Sequence, residues 1–168
     1  MCYLCNENYV EPKYDEKSRP IIEGVTWWDG QGVNASELRE QIVRLAEDNP
    51  LEERACFYST SDGEGSYTSC CIVGQGVYEL TGKVVYNEEW NGTVERVEWA
   101  KALGVAVNEK QEGYVSLEKF SNYGQHVRDM KFVRAVQKKQ DSGWPWGAAV
   151  RWARWRERED GGFQASDF

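Results

Sequence analysis

The apolar spacing between His126 and Gln140 constrains the fold more than any other feature of the chain. Apolar residues recur there at helical spacing, which places them on one side of an α-helix. The residues of this stripe are Met130, Val133 and Val136. Asp141-Ser142-Gly143 ends the helix, and Pro145 suits the first turn of a last helix. The inner stripe of that last helix is Trp146, Val150 and Ala153. The chain is therefore predicted to close with two neighbouring helices.

Three earlier segments also show helical patterns. Ser36 is the predicted cap of a helix that runs to about Asp48 and stops at Asn49-Pro50. Its inner stripe is Leu38, Ile42 and Leu45. Residues 71–80 are predicted to form a short buried helix ended by Gly82, although its two internal glycines each cost about 1 kcal/mol relative to alanine. The apolar positions of that helix are Val73, Val77 and Leu80. Residues 94–103 form a third amphipathic pattern.

Short strand signals lie between these helices. They occur at residues 21–28 and 55–58, and the Ser/Thr/Gly-rich stretch from Ser59 to Ser69 favours the turn of a hairpin. We therefore predict an α+β fold, a predominantly helical single domain with a small antiparallel sheet. The predicted organisation is an irregular N-terminal arm over residues 1–35 with one short strand, a globular domain over 36–160, and a frayed tail over 161–168.

The composition indicates a cytoplasmic protein that needs neither disulfides nor a cofactor. A chain of 168 residues buries enough surface to fold without covalent links. The first residues show no basic and apolar signal-peptide pattern, and no stretch reaches the roughly 20 apolar residues of a membrane span. Five cysteines are then expected to be free thiols. Cys2 and Cys5 have the spacing of half a zinc site, but no second pair completes it, so no metal is predicted.

Catalytic patterns are absent from the sequence. The chain has a single histidine, His126, without a recognisable nucleophile motif near it. Gly74 and Gly76 lack the third glycine of a dinucleotide-binding turn. Because no acid–base pair can be singled out, we favour a protein that is not an enzyme.

The charge distribution is the most informative functional signal. The chain has a net charge of −8, yet residues 126–158 contain nine basic and three acidic side chains, a net of +6. The predicted basic ribbons of the last two helices are Lys131, Arg134 and Lys138 on the first, and Arg151, Arg154 and Arg158 on the second, where Trp155 lies beside them. Three interpretations remain open: a solvated face balanced by the acidic remainder of the molecule, a docking surface for an acidic protein, or a nucleic-acid contact.

Several of these segments together resemble a family of small uncharacterised proteins from actinobacteria and their bacteriophages. The matching pieces are the helix from Ser36 to Asn49-Pro50, the segments at 56–58 and 70–82, and the run from Phe132 to Val150. The resemblance implies a phage-encoded accessory protein in the cytoplasm, and it implies no activity. We predict that the protein binds and modulates a host protein through the basic face of the last two helices, where Arg151, Arg154 and Arg158 supply the charge and Trp155 the apolar anchor. The alternative is a small DNA- or RNA-binding regulator that uses the same face.

Two further expectations concern the aromatic residues. A binder of a small anionic ligand, or an enzyme, would use an aromatic pocket near Trp27 and Trp28. The high aromatic content is also compatible with a homodimer.

Overall fold

A computed structural model describes residues 13–16, 21, 25–27, 34–54, 59–61, 63–82, 84, 106–108, 125–159 and 162–167. Its helices are α1 (Ala35–Asp48), α2 (Ile72–Thr81), α3 (Gln125–Asp141) and α4 (Trp146–Arg158), followed by a 3-10 turn at Ala165–Asp167. These bounds confirm four of the predicted helices. The predicted helix at 94–103, the strand at 55–58, and Cys2, Cys5 and Trp28 lie outside the described residues. Within the described ranges, no helix combines the length and the apolar character needed to cross a bilayer.

The α+β prediction is wrong, because the described fold is helical. Four strands of three residues each are present: β1 (Val25–Trp27), β2 (Ser59–Ser61), β3 (Tyr67–Ser69) and β4 (Ala106–Asn108). They form two separate antiparallel pairs, β1 with β4 and β2 with β3, in which Ser59 lies opposite Ser69. Two-stranded pairs of this length do not make a sheet layer. Among residues of described burial, the buried hydrophobic side chains lie on the four helices, at the cap residue Cys71, or at Phe163.

The four helices share one core, and α3 lies at its centre. Helix α1 contacts α2, α3 and α4, and α3 also contacts α2 and α4. The predicted stripes of α1, α3 and α4 are all buried, with exposures of at most 6%. On α2, Val73 and Val77 are buried as predicted, whereas Leu80 is 37% exposed and does not face the core.

Side-chain hydrogen bonds define where α1 and α2 begin. Helix α1 is capped by Asn34, whose Oδ1 accepts a hydrogen bond of 2.8 Å from the amide of Ser36, so the cap lies two residues before the predicted one. At α2, the Sγ of Cys71 accepts from the amide of Gly74 at 3.3 Å. The amide of Ile72 donates to the Oε1 of Gln140 at 2.8 Å, which ties the start of α2 to α3.

The start of α4 rests on the loop that follows α1. The amide of Trp146 donates to the carbonyl of Glu52, and the amide of Gly147 to the carbonyl of Pro50, each at 3.0 Å. A Cβ at position 147 would lie 2.9 Å from both the Cβ and the carbonyl oxygen of Pro50. Glycine is therefore required at 147, and this contact fixes the direction in which α4 leaves the loop.

Residues 162–167 of the C-terminal segment contact the helical core. Phe163 is 8% exposed and belongs to the hydrophobic core. The Nε of Arg156 lies 2.8 Å from the Oδ2 of Asp167. We call residues 162–167 the tail.

Candidate partner-binding surface

Three of the predicted contact residues form an exposed strip on α4. Arg151, Trp155 and Arg158 are all exposed, and Trp155 has a relative exposure of 52%. They lie opposite the buried side of the helix, because positions four and seven residues apart share one face. We call Arg151, Trp155 and Arg158 the α4 face. It presents two guanidinium groups beside an indole, as the sequence predicted.

Arg154 lies at the edge of the α4 face, toward α1. Its guanidinium is 3.8 Å from the Oε1 of Glu47, and the two side chains are 42% and 64% exposed. Ion pairs this exposed contribute at most about 1 kcal/mol. The carbonyl of Arg154 accepts a hydrogen bond of 3.2 Å from the Nε of Arg158. Arg154 can therefore turn to an incoming carboxylate at little cost.

The predicted basic ribbon of α3 does not form a surface, and this part of the prediction is wrong. Lys131 is only 4% exposed, and burial lowers its pKa. The Nζ of Lys138 donates to the carbonyl of Ser166 at 2.6 Å, so the tail engages it. Arg134 is partly buried and donates to Gln137 at 2.8 Å. The cause is the central place of α3, which other helices contact on several sides.

A partly buried ion cluster holds α4 against α1 and α3. Arg39 of α1 donates to both carboxylate oxygens of Glu157, at 2.8 and 2.6 Å, and to Asp129 at 3.1 Å. Its guanidinium also lies 4.1 Å from the centre of the Phe132 ring. A planar guanidinium can make such paired and stacked contacts at once. The cluster therefore fixes the position of α4 on the core, and with it the α4 face.

Burial and ion pairing act in opposite directions on the pKa values of Arg39 and Asp129. Burial disfavours the charged form of Arg39, but the hydrogen bonds and attraction of Glu157 and Asp129 outweigh it and raise the pKa of Arg39. For Asp129, burial is the largest effect and raises its pKa, although Gln125 and Arg39 act against it. The Oδ2 of Asp129 is buried and accepts no hydrogen bond from the described residues.

A second cation is held between two indoles on the α3–α4 side. The Nζ of Lys139 lies 4.8 Å from the centre of the Trp144 ring and 4.2 Å from that of Trp152. Attraction between an ammonium and two ring faces stabilises this arrangement. This cation–π contact therefore supports the packing of α4. The spacing of Lys139, Trp144 and Trp152 in the sequence did not predict the contact.

The described residues contain no cluster that could hold a metal ion. Among them, no three His, Cys, Asp or Glu side chains lie close enough to hold a metal ion. Burial raises the pKa of the Cys71 thiol to about 12, so this thiol is inert at neutral pH. Cys70 is a free, partly exposed thiol. The side chain of Trp27 and the whole of Trp28 are not described, so the predicted aromatic pocket stays a prediction.

Comparison with known proteins gives no independent assignment. No protein-family model, curated protein or solved structure matches this chain.

Proposed function

We propose that this protein is a non-enzymatic accessory protein that binds an acidic segment of another protein through the α4 face. The observation that carries the proposal is the half-exposed indole of Trp155 between the exposed guanidinium groups of Arg151 and Arg158. Exposed tryptophan and arginine are the residue types that most often dominate binding at protein interfaces. In the setting that the family resemblance implies, the partner is a host protein and the chain is phage-encoded.

The charge distribution supports an acidic partner. Helix α4 contains four arginines and one glutamate, while the whole chain carries a net charge of −8. The one glutamate, Glu157, is already paired with Arg39. The α4 face is therefore a local positive patch on an acidic molecule, and such a patch attracts a local cluster of carboxylates at short range.

Nucleic acid fits this surface less well than protein does. Binding to a phosphate backbone draws on many basic contacts in a row. Burial of Lys131 and engagement of Lys138 remove the second ribbon that would have extended the patch. Nucleic acid is therefore the alternative outcome of the test.

The test uses two double variants with equal charge change. The first, Arg151→Gln with Arg158→Gln, alters the α4 face. The second, Arg44→Gln with Arg128→Gln, alters exposed arginines of α1 and α3. Each changes the net charge from −8 to −10. Tagged proteins are used for affinity capture from actinobacterial extract, with and without nuclease, and the affinity for the captured partner is then measured with purified components.

We expect a discrete protein partner that survives nuclease treatment and is lost only with the α4-face variant. Trp155→Ala should weaken its affinity by about 30-fold, the loss typical of a dominant interface residue. Equal loss with both double variants would mean that only net charge matters. Capture that disappears with nuclease and with moderate salt would replace the protein partner by nucleic acid.

A further inference from the structure

The tail is bound to the helices in the manner of a peptide ligand. Phe163 places its ring in the hydrophobic core and is 8% exposed. Four residues later, Asp167 meets Arg156 of α4, with 2.8 Å between Oδ2 and Nε. The two side chains of this pair are only 10% and 23% exposed. One apolar anchor and one partly buried carboxylate therefore hold the segment at its two ends.

Two further hydrogen bonds fix the backbone of the tail. The Nζ of Lys138, on α3, donates to the carbonyl of Ser166 at 2.6 Å. The amide of Gln164 donates to the Oδ2 of Asp167 at 2.7 Å, which closes the 3-10 turn on itself. The hydrophobic core thus supplies an apolar environment, α4 an arginine for a carboxylate, and α3 a lysine for a backbone carbonyl. We call this set the tail site.

We propose that the tail site is a peptide-binding site. The chain's own tail occupies it, and in trans it binds a partner segment in which an aromatic residue is followed four positions later by a carboxylate. The same three features that hold the tail would hold such a segment, because none of them depends on covalent linkage to it. This site is separate from the α4 face, because successive residues of a helix are about 100° apart, so Arg156 lies well around the helix from Arg151 and Arg158. The proposal does not rest on the proposed function.

Competition between tail and partner follows from the covalent attachment of the tail. The tail has an effective concentration of the order of millimolar at its own site. The connecting residues 160–162 read Asp-Gly-Gly, and glycine loses more conformational freedom on ordering than other residues do. Weakening the contacts of the tail should therefore open the site to a peptide added in solution.

The experiment measures fluorescence anisotropy of a labelled, amidated peptide, Gly-Gly-Phe-Gln-Ala-Ser-Asp, added to full-length protein. The protein is wild type or carries Phe163→Ala, and each variant is checked for helical content by circular dichroism. Arg156→Gln is then added to the Phe163→Ala chain, with Arg128→Gln, at an exposed arginine of α3, as the matched control. Asp167→Asn serves as a second tail-weakening variant in case Phe163→Ala fails to fold.

We expect the tail-weakened chains to bind the peptide at least about tenfold more tightly than wild type, because the competing tail is removed. Arg156→Gln should reverse this gain, and Arg128→Gln should leave it unchanged. A peptide with alanine in place of phenylalanine should not bind. Absence of binding to a folded tail-weakened chain at millimolar peptide would overturn the proposal, and so would equal effects of the two arginine variants.

Discussion

Gly147→Ala tests the contact that sets the direction of α4. The new Cβ would lie 2.9 Å from both the Cβ and the carbonyl oxygen of Pro50, and 3.1 Å from its Cα. Two of these three atoms are backbone, so relief requires movement of the loop and not a change of side-chain rotamer. The loop carbonyls of Pro50 and Glu52 accept the first two amides of the helix, so this movement also strains two hydrogen bonds.

The expected cost comes from three contributions. Overpacking at a tight contact costs about 1–3 kcal/mol. A lost or weakened hydrogen bond adds about 0.5–1.5 kcal/mol. Alanine gains up to about 1 kcal/mol over glycine in a helix, and this acts in the opposite direction. The net destabilisation is therefore about 2 kcal/mol, which for a chain of this length lowers the melting temperature by about 4–8 °C.

Gly76→Ala is the matched control. Its Cβ would meet the Cδ1 of Leu38 at 3.0 Å and the Cγ1 of Ile42 at 3.5 Å, and both are side-chain atoms, not backbone atoms. Only side chains have to move there, and the gain in helix propensity offsets part of the cost, so we expect a smaller change, within about 1 kcal/mol. Urea denaturation followed by circular dichroism measures both variants. If Gly147→Ala is as stable as Gly76→Ala, the described contact between the start of α4 and the loop at Pro50 is wrong.

Three further predictions concern buried polar groups. Gln140→Leu should destabilise the fold by about 1–3 kcal/mol in urea denaturation, because the buried amide of Ile72 loses its acceptor; unchanged stability would contradict this cap. Cys71 should resist a thiol reagent at a pH of about 8 until the protein unfolds, while Cys70 should be modified in the native state. Peptide mass mapping measures the order of modification, and modification of Cys71 before Cys70 would contradict the burial of Cys71. The pKa of Asp129 is raised in the folded state, which favours the protonated carboxyl there. The resulting contribution to the free energy of unfolding is fully present below the ordinary pKa of aspartate, and it is lost as pH rises through the folded-state pKa. The stability of wild type relative to Asp129→Asn should therefore increase as pH falls from about 7 to about 4, and a flat difference would refute the assignment.

The helices could be predicted from the sequence because their apolar spacing and their stops agree. Leu38, Ile42 and Leu45 share one face of α1, and Asn49-Pro50 ends it. The glycines at 74 and 76 lowered the expected helix propensity of α2, yet the helix forms because it packs against α1. Gly76 lets α2 approach Leu38, and the amide of Gly74 donates to Cys71.

The remaining features depend on tertiary contacts that spacing does not show. Lys131 and Gln140 have polar side chains but are buried, and no local pattern in the sequence marks their burial. The pairing of Arg39 with Glu157 joins residues 118 positions apart, and no local pattern marks it. The expected sheet failed for a similar reason, because strand signals of a few residues form a layer only where longer neighbours exist to pair with them.

The α4 face could be predicted from the sequence, whereas the contacts of the tail could not. Arg151, Trp155 and Arg158 were predicted from helical spacing alone, since an exposed face is the complement of a buried stripe. The tail was predicted to fray because terminal residues usually do, and its contacts through Phe163, Ser166 and Asp167 could not be read from the sequence.

Photo-crosslinking from position 155 tests the central claim most directly. A photoreactive phenylalanine analogue replaces Trp155 on the α4 face, and in a second protein it replaces Glu40, an exposed residue of α1. Both proteins are irradiated in nuclease-treated actinobacterial extract, and the adducts are identified by mass spectrometry. The proposed function predicts one discrete protein adduct from position 155, suppressed by Arg151→Gln with Arg158→Gln, and none from position 40. No adduct from position 155, or the same adducts from both positions, would contradict it.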